Sequence, residues 1–268
     1  MPATITRRPD KYALYEASVQ EPDWDLDNMA KLYRKRNGRE ARLLREDFCA
    51  TAALATAWAL RHPDNRAIGV DFDPEPLAWA RRRRLPFVPE VKERLTLVQG
   101  DVRVARRPLV DIACGLNFSW WIFRERKDLL AYLVASRKSL REGGMLLLNS
   151  FGGTDAEKPL VEKTRKPASK TADGEKIPSF TYVWEHAHVN ATNRNMLAHI
   201  HFELGGGRSM KKAFSYDWRL WTPPEVRDVA LEAGFSDFEV WSEREGKVRL
   251  GKMIDNDDCW FANLVAYR

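Results

Sequence analysis

Two short apolar runs, each closed by an acid and each followed by a helical pattern, constrain the fold of this chain most. Leu43 to Ala52 reads LLREDFCATA, and Gly69 to Asp73, one helix later, reads GVDFD. Strands parted by helices imply a parallel sheet, because parallel neighbours need a long crossover. In a doubly wound sheet, ligands sit outside the carboxyl ends of the strands. An acid placed there is costly to bury unless something pairs with it. Ribose hydroxyls and an ammonium group would pair well, so the pattern points to an adenosine-like ligand.

The alternation continues along the chain. The first 40 residues read as a helical lead-in: Tyr12, Tyr15 and Val19 share a stripe, and YRKRNG ends in a glycine stop at Gly38. Strands are expected at 43–46, 67–71, 95–101, 110–117 and 145–149, with helices at 51–62, 74–84 and 124–140 between them. Asp73 suits the N-cap and Pro74 the first turn of the second helix. The polar, turn-rich run from Phe151 to Ser179 reads as a mobile loop. Three alternating segments follow at 180–189, 196–204 and 210–220, parted by turn-forming NATNRN and GGGRS, and read as an antiparallel meander. Thr222 to Glu225 form a capping-box start, and two more strands close the chain. The domain reading is 1–40 as a lead-in or lid, 41–151 with 221–268 as the core, and 152–220 as loop plus substrate-side meander.

Composition narrows the class. At 268 residues with 44% hydrophobic content and ten tryptophans, the chain can bury a large core. The first sixteen residues lack the apolar stretch of a signal peptide, and the longest apolar run, Cys49 to Leu60, is too short to span a membrane. Three scattered cysteines without a CxxC pair predict reduced thiols, a cytoplasmic home and no cysteine zinc site. The net charge of +6 is spread out. Its sharpest cluster, Arg81 to Arg84, falls in the last turn of a predicted helix, where cations suit the dipole. That placement disfavours a nucleic-acid patch.

The GxGxxG fingerprint and the Walker lysine loop are both absent. What remains is an acid closing each of the first three strands: Glu46, Asp71 and Asp101. With EDFCATA, IGVDFDPEPLAWAR, VQGDVR, REGGMLLLNSF and RLWTPPEVRDVALEAGF in order, the chain resembles the class I S-adenosylmethionine-dependent methyltransferases, in particular the small-molecule branch with an extra antiparallel sheet. The resemblance implies an α/β fold: a doubly wound, seven-stranded, mostly parallel Rossmann-like sheet with an appended three-stranded meander. It implies S-adenosyl-L-methionine as cofactor. Glu46 would then face the ammonium end of the methionine moiety and Asp71 the ribose hydroxyls. Asp101 would accept from the adenine amine, with the Val102 amide addressing the ring. Phe72 would pack on the adenine face, and Asn117 would lie near the sulfonium. The family's glycines are replaced here by Phe48, Ala50 and Ala52. The added side chains imply a turn with φ below zero at those sites, or a displaced cofactor. Cys49 reads as a small turn residue, and Asp47 as either a substrate contact or a partner of local amides.

Methyl transfer mainly needs alignment, and a base only if the acceptor must lose a proton. Candidates are Tyr12 or Tyr15, either of which the resemblance implies as an early tyrosine closing over the cofactor and which otherwise only pack their helix, and the meander histidines. His186, His188, His199 and His201 lie there, and a tight turn at Thr192-Asn193 would place His186 opposite His199 and Trp184 opposite His201. That face is then a polar outer surface, a pocket wall with His199 and His201 as bases, or an HxH metal site with no carboxylate clearly placed to complete it. The apolar face of Met196, Ala198, Ile200 and Phe202 must bury on the main sheet or on a second subunit, as in a homodimer. Trp120, Trp121, Trp218 and Trp221 would form an aromatic cleft for a flat or cationic acceptor, or only core. The reading is a methyltransferase acting on N or O of a small molecule, without a membrane partner. Its rivals are an RNA or protein methyltransferase, weakly favoured by Lys158, Lys163, Lys166 and Lys170 but lacking an NPPY-type element at NFSW, and a non-catalytic binder.

Overall fold

The structure, a computed structural model, describes residues 10–244, 247–250 and 258–268, and among these two helices precede the first strand. Residues 1–9 of the expected lead-in lie outside the described residues. Helix α1 (Lys11–Val19) is capped by Asp10, which accepts from the Tyr12 and Ala13 amides. Helix α2 (Pro22–Asn37) ends at Gly38, whose φ of 66° suits a residue without Cβ.

The alternating core follows as β1 (Leu43–Asp47), α3 (Ala53–Arg61), β2 (Arg66–Asp71), α4 (Pro74–Arg83), β3 (Leu95–Gln99), β4 (Val110–Gly115), α5 (Arg126–Ser139) and β5 (Leu140–Gly152). Asp73 caps α4 by accepting from the Glu75 amide at 2.8 Å, with Pro74 in the first turn. Next come β6 (Leu160–Lys166), the two-residue strands β7 (Ser169–Lys170) and β8 (Lys176–Ile177), then β9 (Phe180–Val189), β10 (Asn195–Glu203) and β11 (Ser209–Arg219). The chain closes with α6 (Pro223–Glu232), β12 (Asp237–Arg244), β13 (Lys247–Leu250) and β14 (Trp260–Tyr267). Thr222 and Glu225 form the capping box of α6.

The main sheet has the order β13-β12-β14-β5-β4-β1-β2-β3. Strands β1 to β5 pair in parallel, and β14 returns antiparallel between β5 and β12. The seven expected strands are present, and β13 adds an eighth at the edge. The order reverses between β1 and β4, which opens a crevice at their carboxyl ends. One core lies on each face of the sheet, and a third joins α1, α4 and the appended sheet.

The appended sheet has four strands, β11-β10-β9-β6, not three. The extra strand comes from the run expected to be a mobile loop. It escaped because β6 is an edge strand with nearly every residue exposed, so it carries no apolar alternation. The apolar residues Met196, Ala198, Ile200 and Phe202 are buried within this chain, in the first and third cores.

At the opposite end of the sheet from the crevice, Asp111 is fully buried. Its carboxylate accepts from the Arg42 and Leu43 amides, both at 2.9 Å, from the Tyr33 hydroxyl at 3.0 Å, and from Arg39 and Arg141. Burial alone would raise its pKa, but these donors hold it below the usual value. A depressed carboxylate adds stability above the unfolded pKa of about 3.9, and that stability is lost as pH falls through the folded value. Asp111→Asn should therefore cost roughly 2–4 kcal/mol in urea unfolding at neutral pH. It should also flatten the loss of stability on acidification below pH ~4.

Candidate active site

The turn after β1 sets the geometry of the crevice. Phe48, Ala50 and Ala52 have φ of 57°, 46° and 55°. The expectation of negative φ is overturned: the backbone takes the left-handed path that glycine would take, with side chains in place. Neighbouring strands impose it. The Cys49 amide donates to the Val70 carbonyl at 3.1 Å, and the Ala50 amide donates to Asp71 Oδ2 at 2.7 Å. Each left-handed non-glycine residue costs roughly 1–2 kcal/mol. Asn117 and Phe118, at the end of β4, also have φ of 51° and 57°. Five of the seven such residues among those described thus gather at the β1/β4 switch point, and strain of this kind concentrates at functional sites.

The added side chains leave the crevice open. The Phe48 ring packs inward on Phe123 and Tyr132, at centroid distances of 5.9 and 5.7 Å. Ala52 is wholly buried. Cys49 is buried against Gly69, where a Cβ would come within 2.9 Å of its Sγ. It is a packing residue of the turn.

The three acids differ in their surroundings. Glu46 is buried and accepts from the Ala55 amide in the first turn of α3 at 2.9 Å. Burial pushes its carboxyl up to about 8. Asp71 is half-buried at the rim and accepts from the Ala50 and Asp73 amides; burial pushes its pKa up. Asp101 is held by Arg103, with contacts of 2.8 and 3.1 Å, and that pairing holds its pKa down. Phe72 stands 77% exposed beside Asp71. Val102 is buried, and its carbonyl accepts from Arg45 at 2.9 Å.

Asp47 serves neither of its expected roles. It pairs with Arg45 at 2.6 Å inside the core and accepts from the Tyr132 hydroxyl at 3.1 Å. Arg45 also donates to Ser139 Oγ at 2.8 Å. The buried pair is fully satisfied and ties β1 to the segment after β3 and to α5.

Beside the crevice, between the two sheets, lies a cavity of about 340 Å³. Its walls carry Tyr15 from α1, Asn117 and Phe118 after β4, Phe151 from β5, Tyr182, Trp184 and His186 from β9, and Tyr216 and Trp218 from β11. Asp155 and Glu162 are its acids. Tyr15 shares a hydrogen bond with Tyr216 and packs on Phe214 at 5.0 Å, and burial pushes its hydroxyl up to about 12. Trp120, Trp121 and Trp221 are buried core side chains, while Trp218 reaches the cavity.

The histidines sort differently from the expected register. His186 pairs with Ala198, and His199 with Glu185, because a bulge shifts the β9–β10 ladder at Leu197/Ala198. One step of register moves a side chain to the other face. His199 and His201 therefore lie on the far side of the sheet from Tyr182 and Trp184, bonded to Ser215 at 2.9 Å and Glu185 at 2.8 Å. His186 is the histidine of the cavity. It accepts from the Trp184 indole at 2.8 Å, lies 3.3 Å from the Asp155 carbonyl and stacks on Phe151, and burial lowers its pKa. Its two-residue spacing from Trp184 was the available signal. Among the described residues no group of three potential ligands could hold a metal, and no helix is long and apolar enough to cross a membrane.

Solved structures share this architecture. An amino-pentose methyltransferase from Micromonospora echinaspora, bound to S-adenosylmethionine, superposes with a TM-score of 0.70 at 18% identity over 98% of each chain. DesVI of Streptomyces venezuelae gives 0.70 at 18% identity, over 97% of this chain and 99% of that one. The chain has the methyltransferase fold. A sugar N-methyltransferase from a Streptoalloteichus species carries the same methyltransferase fold at a TM-score of 0.66 and 15% identity, over 97% of this chain and 93% of that one. No family model and no curated protein matches the sequence. At such identities the likeness is one of fold, which the strained turn and the acids of this chain must turn into a site.

The strain in the turn is measurable. Ala50→Gly should relieve it and raise stability by roughly 0.5–1 kcal/mol, the strain relieved less the entropy glycine loses on folding. Chemical denaturation that shows glycine neutral or destabilising there would remove strain from the account.

Proposed function

We propose that the chain transfers a methyl group from S-adenosylmethionine to a nitrogen or oxygen of a small-molecule acceptor. One observation carries this reading: an acid-rimmed, glycine-like turn at the switch point opens beside an aromatic-walled cavity. The donor set fits such a cofactor. Asp71 spends two acceptor positions on amides, and a carboxylate has about four. The remaining positions suit the paired hydroxyls of a ribose, with charge-assisted bonds. Asp101 and the Val102 amide would take the adenine edge, Phe72 its face, and Glu46 the ammonium end through water or the turn. When bound, the cofactor supplies an electrophilic methyl on a sulfonium.

The chain's own work is orientation and exclusion of water. Tyr15, on a helix that lies over the crevice, would close the cavity with its neutral hydroxyl joined to Tyr216. Aromatic faces with Asp155 and Glu162 favour an acceptor that bears or develops positive charge, so nitrogen is the finer reading. Glu162, exposed on β6, would take the proton released by a methylated amine. His186, kept neutral by burial, would shape the wall and not act as the base. The fold neighbours named for amino-sugar and sugar nitrogen support the amine.

Labelled cofactor incubated with a panel of amines, phenols and alcohols tests the activity, with calorimetry against S-adenosylhomocysteine alongside. Asp71→Ala should abolish that binding while circular dichroism keeps its native form. Binding without transfer to any acceptor would return the chain to a non-catalytic binder. Transfer to RNA, lost steeply with added salt, would move it to the nucleic-acid class.

The buried Glu46 adds a pH dependence. A carboxylate facing an ammonium group binds best ionised, and its pKa is raised to about 8. Affinity for S-adenosylhomocysteine should therefore rise with pH up to about 8 and level off above it. Glu46→Gln should bind more weakly at high pH and lose the slope; an unchanged slope would remove Glu46 from the site.

A further inference from the structure

The crossover from β3 to β4 leaves part of one sheet face without a helix. Parallel crossovers usually lay a helix across the sheet, but residues 100–109 form only turns and bends. Beneath them lies a second cavity of about 490 Å³, within the range of small-molecule sites. Its floor is apolar: Leu43 and Ile68 are buried, and Val98 is half-buried.

The rim is basic. Arg66, Arg106 and Arg107 line it against a single acid, Glu93. Arg94 also lines it, but its guanidinium is spent on the carbonyls of Ala59, His62, Asn65 and Glu90. The other three are far less committed. Arg66 has one long contact, 3.5 Å, to the Glu93 carbonyl. Arg107 is exposed. Arg106 is fixed at its backbone by Ser139 Oγ at 3.0 Å, yet its Nε is buried without a hydrogen-bond partner. That nitrogen is shut off from the cavity, but the guanidinium adds a third positive charge to the rim.

We propose that this pocket binds a small organic anion. A phosphate or carboxylate head would be held by Arg66, Arg106 and Arg107, whose planar forks match such oxygens. An apolar body would lie on Leu43 and Ile68. The site lies on the α5 side of β1, β2 and β3, away from the cavity lined by Tyr15, and does not rest on the methyl-transfer reading.

Calorimetry with phenyl phosphate, benzoate and inorganic phosphate tests it on the full chain. Phenyl phosphate or benzoate should bind saturably and more tightly than inorganic phosphate; whichever of the two binds more tightly identifies the head group. Arg66→Glu and Arg107→Glu, both on exposed side chains, should each weaken that binding by about tenfold or more. Affinity for S-adenosylhomocysteine should stay at the wild-type value in both. No saturable binding, equal affinity for inorganic phosphate, or binding unmoved by either substitution would overturn the proposal.

Discussion

The Asp71 carboxylate faces two ways, and the crevice depends on it. One oxygen accepts from the Ala50 amide and so holds the turn after β1 left-handed; the other accepts from Asp73, where α4 begins. The same carboxylate stands at the rim, at the carboxyl end of β2. A rigid turn and a polar rim thus share one group. That arrangement explains how alanine can stand where glycine would be easier. The strand pairing of β1 with β2 and the hydrogen bonds from Cys49 and Ala50 over-determine the backbone, so the cost of φ above zero is offset by contacts that cannot form otherwise.

The roof above this floor is attached through Arg83, the last residue of α4, and Arg84, its C-cap. Arg84 pairs with Glu16 of α1, and Glu16 also accepts from the Thr51 hydroxyl inside the turn. Arg83 pairs with Asp173 and Glu175, which lie between β7 and β8. Adjacent residues at the end of one helix therefore hold two covering segments, and one latch touches the turn itself. Behind them Tyr12, Leu14 and Trp79 form a core with Phe180, Ile200 and Phe202 of the appended sheet. Because the lead-in is packed against both α4 and the appended sheet, the crevice and the neighbouring cavity share one common cover.

Much of this is legible in the sequence. The strands that lead to Glu46, Asp71 and Asp101, the caps of α4 and α6, and the stop at Gly38 follow from local patterns that tertiary packing then reinforces, although β3 stops at Gln99 and leaves Asp101 in the turn beyond it. The losses have specific physical causes. Strand β6 is polar on both faces, so alternation could not reveal it. The histidine register failed on the bulge near His186, an irregularity that sequence spacing does not encode and that turns a face over. The sign of φ at Phe48, Ala50 and Ala52 failed because residue preference was set against a constraint supplied by β2, which lies twenty residues away. Asp47 failed because its partner, Arg45, sits two residues back on the same strand face, a pairing that reads equally well as two exposed charges.

The positive charge of the chain bears on the choice between a small acceptor and a nucleic acid. A nucleic-acid surface needs cations free to meet phosphates. Here Arg45 is buried against Asp47, Arg39 and Arg141 converge on Asp111, and Arg94 caps carbonyls at the end of α3. Arg83 and Arg84 hold the roof, and Lys163 at the cavity is paired with Glu203 at 2.6 Å. Two of the four arginines of the sharpest basic run, Arg83 and Arg84, are thus used inside the molecule, while Arg81 and Arg82 are exposed. The cavity between the sheets, in turn, is walled by aromatic rings and bears Asp155 and Glu162. A polyanion would meet those acids directly, whereas an amine on a compact, partly apolar body would meet complementary charge and the faces of Trp184 and Tyr216.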